Sequence, residues 1–261
     1  MLKSDSHLPG PTRLRAMTEP ARDGSRARQF LARPSLRELA LEEIRLAITT
    51  GQLDEGRTYS AAGLAKELGM SLSPVREAMM SLVSEGTVEA IPNRGFRLRP
   101  ISADDLEEII RIRIILSMAA VADICARVQA ARERATQDGE IDAQLAELRR
   151  LADAGIVAIE AEAYGEFFRL DRDFHRLLLE YGLGRRAAEI SVRLRDQSRI
   201  VGPDRPTVAA DRQTAEDLLE IVGLLSAGQT AQAQQAVTRN LYWYKRILGL
   251  PGPPERARIS S

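Results

Sequence analysis

The stretch from Leu64 to Arg97, LAKELGMSLSPVREAMMSLVSEGTVEAIPNRGFR, constrains the fold more than any other part of this 261-residue chain. Ala61 to Leu68 are mostly good helix formers, and Leu64 and Leu68 share one helical face. Gly69 follows where a helix ends most cheaply in a left-handed residue, and Met70 can pin the turn to a core. Ser71 and Ser73 are both candidate N-caps. Pro74 fits a first turn, where its missing N–H costs nothing, so a second helix is expected from about Pro74 to Ser84. Val75, Met79, Leu82 and Val83 form its inward stripe, while Ser73, Arg76 and Met80 occupy another flank. After Gly86 the period falls to two. Thr87, Val88 and Glu89 begin a strand, Pro92–Gly95 supply turn residues, and Phe96, Arg97, Leu98 and Arg99 alternate apolar with basic.

Two helices joined by a tight turn and followed by a hairpin present one helix to a DNA major groove. Ser73 and the unbonded N–H groups of the helix start suit a phosphate, and Arg76 can fork onto a guanine edge. Arg94 stands at the hairpin tip, with Arg97 and Arg99 behind it. A surface ion pair for Arg76 and an ordinary turn for Arg94 are the plainer alternatives. The order of cap, flank and basic wing favours DNA binding.

The segment Leu36–Ser102, carrying ITTGQLDEGRTYS and the SxSPVREAMxxLxxEG core, resembles the winged helix of the GntR family of bacterial transcription regulators. The remainder, from Ala103 to about Leu250, is similar to the helical effector domain of the FadR-like subgroup through DLEEIIRIRIIL, LDRDFHRLLLEYG and AGQTAQAQQAVTRNL. The resemblance implies a homodimer held mainly through the helical domain, a short palindromic double-stranded operator, and a small-molecule effector that changes DNA affinity. It places DNA contacts at Ser71, Leu72, Ser73, Arg76, Arg94 and Gly95. Many relatives carry Arg where this chain has Leu72, and often where it has Ala62. Leucine cannot bond guanine but can pack on a thymine methyl, so the operator is expected to differ.

The expected fold class is mostly α: a winged helix-turn-helix followed by an all-α antiparallel helical bundle. The expected domains are a disordered, mildly basic tail at 1–33, the winged helix at 34–101, the helical domain at 102–250 and a loose tail at 251–261. In the winged helix, Ser35 caps a first helix to about Thr50 with Leu39, Ile44 and Ile48 inward. Beyond the Ser102 cap, helices are expected to about Ala131, then over Ile141–Asp153, Ile156–Tyr181 (closed by Gly182), Arg185–Ile200, Arg212–Ser226 and Thr230–Leu248. A loop through Gly202, Pro203 and Pro206 precedes the last two.

Asp171 and His175 lie four apart, on one helical face. By resemblance, such an Asp and His bind a divalent metal with two further histidines. Here those positions fall on Leu218 and Asn240. Leucine has no lone pair and an amide oxygen is a weak zinc ligand, so the set is incomplete. Asp171 and His175 are weak metal candidates, no cofactor is expected, and a metal-free polar pocket takes first place. A satisfied core histidine is the blandest alternative. Arg113, an arginine among isoleucines, needs a partner: an internal carboxylate such as Asp171, or the carboxylate of an effector. Arg113, Asp171, His175 and Asn240 are the candidate effector residues.

Net charge is zero, with 37 basic and 37 acidic residues. A small basic excess in residues 1–100 is balanced beyond them. Affinity for DNA is therefore expected to depend on placed arginines and dimerisation, not on a broad basic field. The single cysteine, Cys125, excludes an internal disulfide framework. No apolar run reaches membrane-spanning length, so a cytoplasmic protein without membrane partners is expected. No nucleophile accompanies Asp171 and His175, and no phosphate loop or dinucleotide fingerprint occurs, so no catalysis is expected. Two alternatives to a regulator, most simply a repressor, are a dimerisation scaffold that has lost specific DNA reading and, last, an enzyme acting on a small acid.

Overall fold

The computed structural model describes residues 34–134, 138–198, 212–247 and 249–250. Both expected tails and the loop through Gly202, Pro203 and Pro206 lie outside the described residues. The first part comprises α1 (Leu36–Thr49), β1 (Thr58–Tyr59), α2 (Ala61–Glu67), α3 (Leu72–Ser84), β2 (Val88–Ile91) and β3 (Gly95–Leu98). The second comprises α4 (Ala103–Glu133), α5 (Gly139–Glu160), α6 (Tyr164–Leu183), α7 (Arg185–Ser198), α8 (Arg212–Ala227), α9 (Thr230–Leu241) and α10 (Trp243–Ile247). The architecture is mostly helical, a winged helix-turn-helix followed by a helical domain. No described helix is long and apolar enough to cross a membrane.

Capping boxes start α1 and α4: Ser35 with Glu38, and Ser102 with Asp105. Each satisfies two backbone donors that a helix start leaves unbonded. The buried face of α1 is Ala40, Ile44, Ala47 and Ile48, whereas Leu39, expected inward, is 38% exposed. One residue is a 100° step around a helix, which carries Leu39 off the stripe that its neighbour Ala40 joins. These side chains pack with Leu64, Val75, Met79, Leu82, Phe96 and Leu98 in the core of the winged helix.

The wing is a three-stranded sheet, not a hairpin alone. Its order is β1-β3-β2, with Tyr59 opposite Phe96 and Ala90 opposite Phe96 on the other side. A strand of two residues is too short to show alternation, which is why β1 was not expected. Gly95 has φ 127, and a Cβ there would lie 2.3 Å from the Tyr59 carbonyl oxygen. The third strand therefore requires glycine at this position.

The helical domain departs from expectation at three boundaries, and the break expected between Asp153 and Ile156 is absent because α5 runs unbroken to Glu160. The helix expected over Ile156–Tyr181 is divided by a reversal at Glu162, which has φ 55. No Gly or Pro marks that turn. It is imposed by packing, because α6 folds back on α5 and sets the Phe167 ring 3.6 Å from where a Cβ on Gly155 would lie. The last expected helix breaks at Tyr242, which caps α9. Gly182 does not close α6. It lies inside the helix, where a Cβ would meet the Cα of Ala120 at 2.5 Å, so α4 and α6 cross there at close range. The helix ends at Gly184, with φ 91. The main core joins Val121, Ile124, Leu148, Phe174, Leu178, Leu218, Ile221 and Val237. Cys125 is buried there, and burial raises its thiol pKa.

Polar links tie the two parts together. Arg169 of α6 reaches Glu43 of α1 at 2.8 Å. Arg45 of α1 bonds Glu85 at 2.8 Å and Asp196 of α7 at 2.8 Å. Gln197 donates to the Glu85 carbonyl at 2.7 Å. Burial opposes the charge on Arg172, but the Asp196 and Glu42 carboxylates outweigh it and raise its pKa.

Candidate nucleic-acid interface and ligand pocket

The second helix of the helix-turn-helix, α3, begins at Leu72, two residues before the expected start, with Ser71 as its N-cap. Pro74 is thus the third helical residue. It is tolerated because the first four N–H groups of a helix have no internal acceptor. Pro74, Val75, Ala78, Met79 and Leu82 are buried. Val83 is only partly buried against the same core. Leu72 and Met80 are 45% and 50% exposed. Ser71, Ser73 and Arg76 are also exposed. The two serines differ in state. The Ser71 side chain makes no capping bond, while the Ser73 hydroxyl donates to Glu77 at 3.0 Å. A phosphate at this helix start meets an uncommitted Ser71 hydroxyl, but Ser73 must first leave Glu77.

At the wing, Asn93 takes a left-handed conformation with φ 60 and Arg94 is exposed. Arg97 is held by Glu89 across the sheet at 2.6 Å, so much of its charge is neutralised. Arg76, Arg94 and Arg99 form no ion pair among the described residues and present their charge outward.

The polar residues singled out in the helical domain converge on one cavity. Leu106, Ile110 and Arg113 come from α4, Asp171 and His175 from α6, Arg195 and Ser198 from α7, Thr214 from α8, Asn240 and Leu241 from α9, and Trp243 from α10. The cavity is about 20 Å³, room for a water molecule but not an organic acid. Arg113, Asp171, His175, Arg195, Thr214 and Asn240 are all buried, none more than 6% exposed. Asp171 Oδ2 accepts from Arg195 Nη2 at 2.6 Å, and Arg195 also donates to the Phe168 carbonyl at 3.1 Å. His175 Nε2 lies 2.9 Å from Asn240 Oδ1 and 3.5 Å from Asp171 Oδ1. With Nε2–H donating to Asn240, His175 Nδ1 presents a lone pair. Neither it nor Asn240 Nδ2 has a hydrogen-bond partner among the described residues.

Leu218 does not line this cavity. It is fully buried in the apolar core, and Thr214, one turn earlier on α8, faces the polar cluster instead. The donors present do not fit a divalent cation. Among the described residues the one lining carboxylate is bonded to a guanidinium, whose positive charge would repel the ion, and the histidine is bonded to an amide. Among the described residues no three of His, Cys, Asp and Glu converge.

Arg195 and Thr214 were missed. The signal for Arg195 was present: Ala188, Val192 and Arg195 are spaced i, i+4, i+7 and all buried, a charge on an apolar stripe like Arg113.

Two family models match the chain. Bacterial regulatory proteins of the gntR family match residues 36–98, and the FCD domain matches residues 108–242. The chain belongs to the GntR family. It is a DNA-binding transcription regulator with an FCD effector-binding domain. A helix-turn-helix transcriptional regulator from the TAR-I ttuE-ttuC' intergenic region of Agrobacterium vitis is 31% identical over 141 residues, 54% of this chain and 77% of that protein. A protein of Paenarthrobacter nicotinovorans named as a probable D-xylose utilization operon transcriptional repressor is 27% identical over 221 residues, 82% of this chain and 89% of that one. The solved structure of E. coli McbR/YncC shares the fold, with a TM-score of 0.64 at 23% identity, covering 83% of this chain and 98% of that one.

Proposed function

We propose that this GntR-family regulator is a dimeric repressor whose affinity for its operator is set by a small organic acid bound in the helical domain without a resident metal. The observation that carries the reading is the charge of the cavity: Arg113 and Arg195 line it, and among the described residues Asp171 is the only carboxylate that does so. A buried site with two guanidiniums and one carboxylate favours an anion, and a planar guanidinium matches a carboxylate by two hydrogen bonds. The name of the Paenarthrobacter relative supports repression. Ile115, 66% exposed on α4, supports a helical face covered by a second copy.

On the DNA side, Ser71, Leu72, Ser73 and Arg76 on α3, with Arg94 at the wing, are the proposed contacts. The need for glycine at position 95 is met by the sheet alone, so its role is to shape the tip. Arg76→Ala is expected to weaken specific binding by about 1–3 kcal/mol, and more for the operator than for random DNA. A gel-shift titration against a fragment selected from a random pool measures this, and equal affinity for the two proteins removes Arg76 from the reading face.

On the effector side, isothermal calorimetry with acetate, succinate, citrate and benzoate is expected to find binding that Arg113→Ala weakens by about 1.5–3 kcal/mol, as for a hydrogen bond to a charged group. Elemental analysis of chain purified without chelator is expected to show no stoichiometric zinc or nickel. Undiminished binding by Arg113→Ala excludes Arg113 as the anchor, and a dialysis-resistant metal excludes the metal-free site.

A further inference from the structure

The last turn of α7 sends four consecutive residues to different places. Arg195, 2% exposed, points into the cavity and bonds Asp171 at 2.6 Å. Asp196 points towards the winged helix and meets Arg45 of α1 at 2.8 Å and Arg172 of α6 at 3.4 Å, and the Arg195 guanidinium itself lies 3.8 Å away. Gln197 donates to the carbonyl of Glu85, the C-cap of α3, at 2.7 Å. Ser198 lines the cavity, and its hydroxyl donates to the Arg195 carbonyl at 2.6 Å. One helical turn is a hydrogen-bonded unit, so its residues move together. The same turn therefore touches the pocket and the end of the helix proposed to read DNA.

The pocket side supplies a reason for movement. With about 20 Å³ open, no carboxylic acid enters while Arg195 and Asp171 remain as they are. A ligand carboxylate offers Arg195 two acceptor oxygens, where Asp171 offers only Oδ2, shared between Nε and Nη2. Asn240 Nδ2, unpartnered among the described residues, is a spare donor for whichever carboxylate is left without the guanidinium.

We infer that Arg195 is the residue that exchanges partners on ligand binding, and that α7 carries the result to the winged helix. An entering carboxylate takes the Arg195 guanidinium from Asp171. The last turn of α7 shifts with it, and the Asp196–Arg45 and Gln197–Glu85 links transmit the shift to α1 and the end of α3. The inference rests on the anionic-effector reading of the same pocket, and it makes Arg195 a binding and positioning residue in addition to Arg113. The expected change in operator affinity on ligand binding is about 5- to 150-fold, the usual range of coupling between two sites.

Hydrogen exchange on the full chain, with no small molecule present, tests the transmission. Arg195→Met removes the guanidinium but keeps a long side chain. Relative to amides of α8, exchange across residues 82–88 is expected to accelerate at least about fivefold. Asp196→Asn is expected to do the same, and the double variant no more than the larger single, because both act through one turn. Unchanged exchange at 82–88 in Arg195→Met, or effects that add in the double variant, overturns the inference. Should Arg195→Met fail to fold, Gln197→Ala, which leaves the pocket intact, is expected to accelerate the same amides without altering those around Asp171. Wild-type exchange in Gln197→Ala also overturns it. Because no acid enters this experiment, its failure leaves the effector reading standing, and a failed calorimetric search for acids leaves these exchange rates unaltered.

Discussion

Asp171→Leu is expected to destabilise the chain by about 3–5 kcal/mol, the cost of leaving one member of a buried ion pair uncompensated. Arg195, 2% exposed, then loses its carboxylate at 2.6 Å and, among the described carboxylates, keeps only the longer approach to Asp196 at 3.8 Å. The double variant Asp171→Leu/Arg195→Met is expected to recover to within about 1 kcal/mol of the parent, since exchanging both partners for apolar side chains of similar size is often neutral. Urea denaturation followed by circular dichroism measures both. A single variant within about 1 kcal/mol of the parent contradicts the burial argument. A double variant as weak as the single shows that the pair supplies stability by itself. The predicted pattern has a functional meaning: a pair that two apolar residues can replace without loss serves the site, not the fold.

The second large effect is at the crossing of α4 and α6. Gly182→Ala gains about 1 kcal/mol of helix propensity. The added Cβ, however, would lie 2.5 Å from both the Cα and the carbonyl oxygen of Ala120, backbone atoms that cannot yield as a flexible side chain can. The net expectation is a loss of about 1–3 kcal/mol, typical of overpacking. Gly223→Ala is the control. It sits within α8 with no atom inside 4 Å of the position of its Cβ, so the propensity gain is unopposed and about 1 kcal/mol of stabilisation is expected. Thermal melts of the two variants should move in opposite directions, and a shift of the same sign in both removes the close crossing at Gly182 from the account.

What the sequence made legible follows from the range of each signal. The winged helix is built from local signals, such as the Ser35 cap and Gly69 after α2, so its helices and hairpin were readable. The start of α3 was misplaced because Pro74 can occupy any early helical position, and two serines competed as caps. The third strand was hidden because Thr58 and Tyr59 are too few to alternate. In the helical domain, periodicity located the helices but not the reversal at Glu162, where good helix formers continue through a turn imposed by packing. Gly182 was read as an end because the sequence does not reveal what faces a glycine, and only the neighbouring Ala120 makes it an interior contact.

The pocket was legible in part for the same reason. Asp171 and His175 are four apart on one helix, and Arg113 stands out on an apolar stripe. Leu218 followed from resemblance and lies in the core, while Thr214 one turn away faces the cavity. Arg195 belongs to a helix far along the chain, and its pairing with Asp171 is a tertiary fact.

An anion bound in the helical domain is expected to set operator affinity. Fluorescence anisotropy of a selected operator fragment, measured with acetate, succinate, citrate and benzoate and with the corresponding amides, tests it most directly. The prediction is that at least one acid shifts the dissociation constant about fivefold or more, that its amide does not, and that Arg113→Ala abolishes the shift. A shift produced by amides but by none of the acids, or one that survives Arg113→Ala undiminished, would contradict the account.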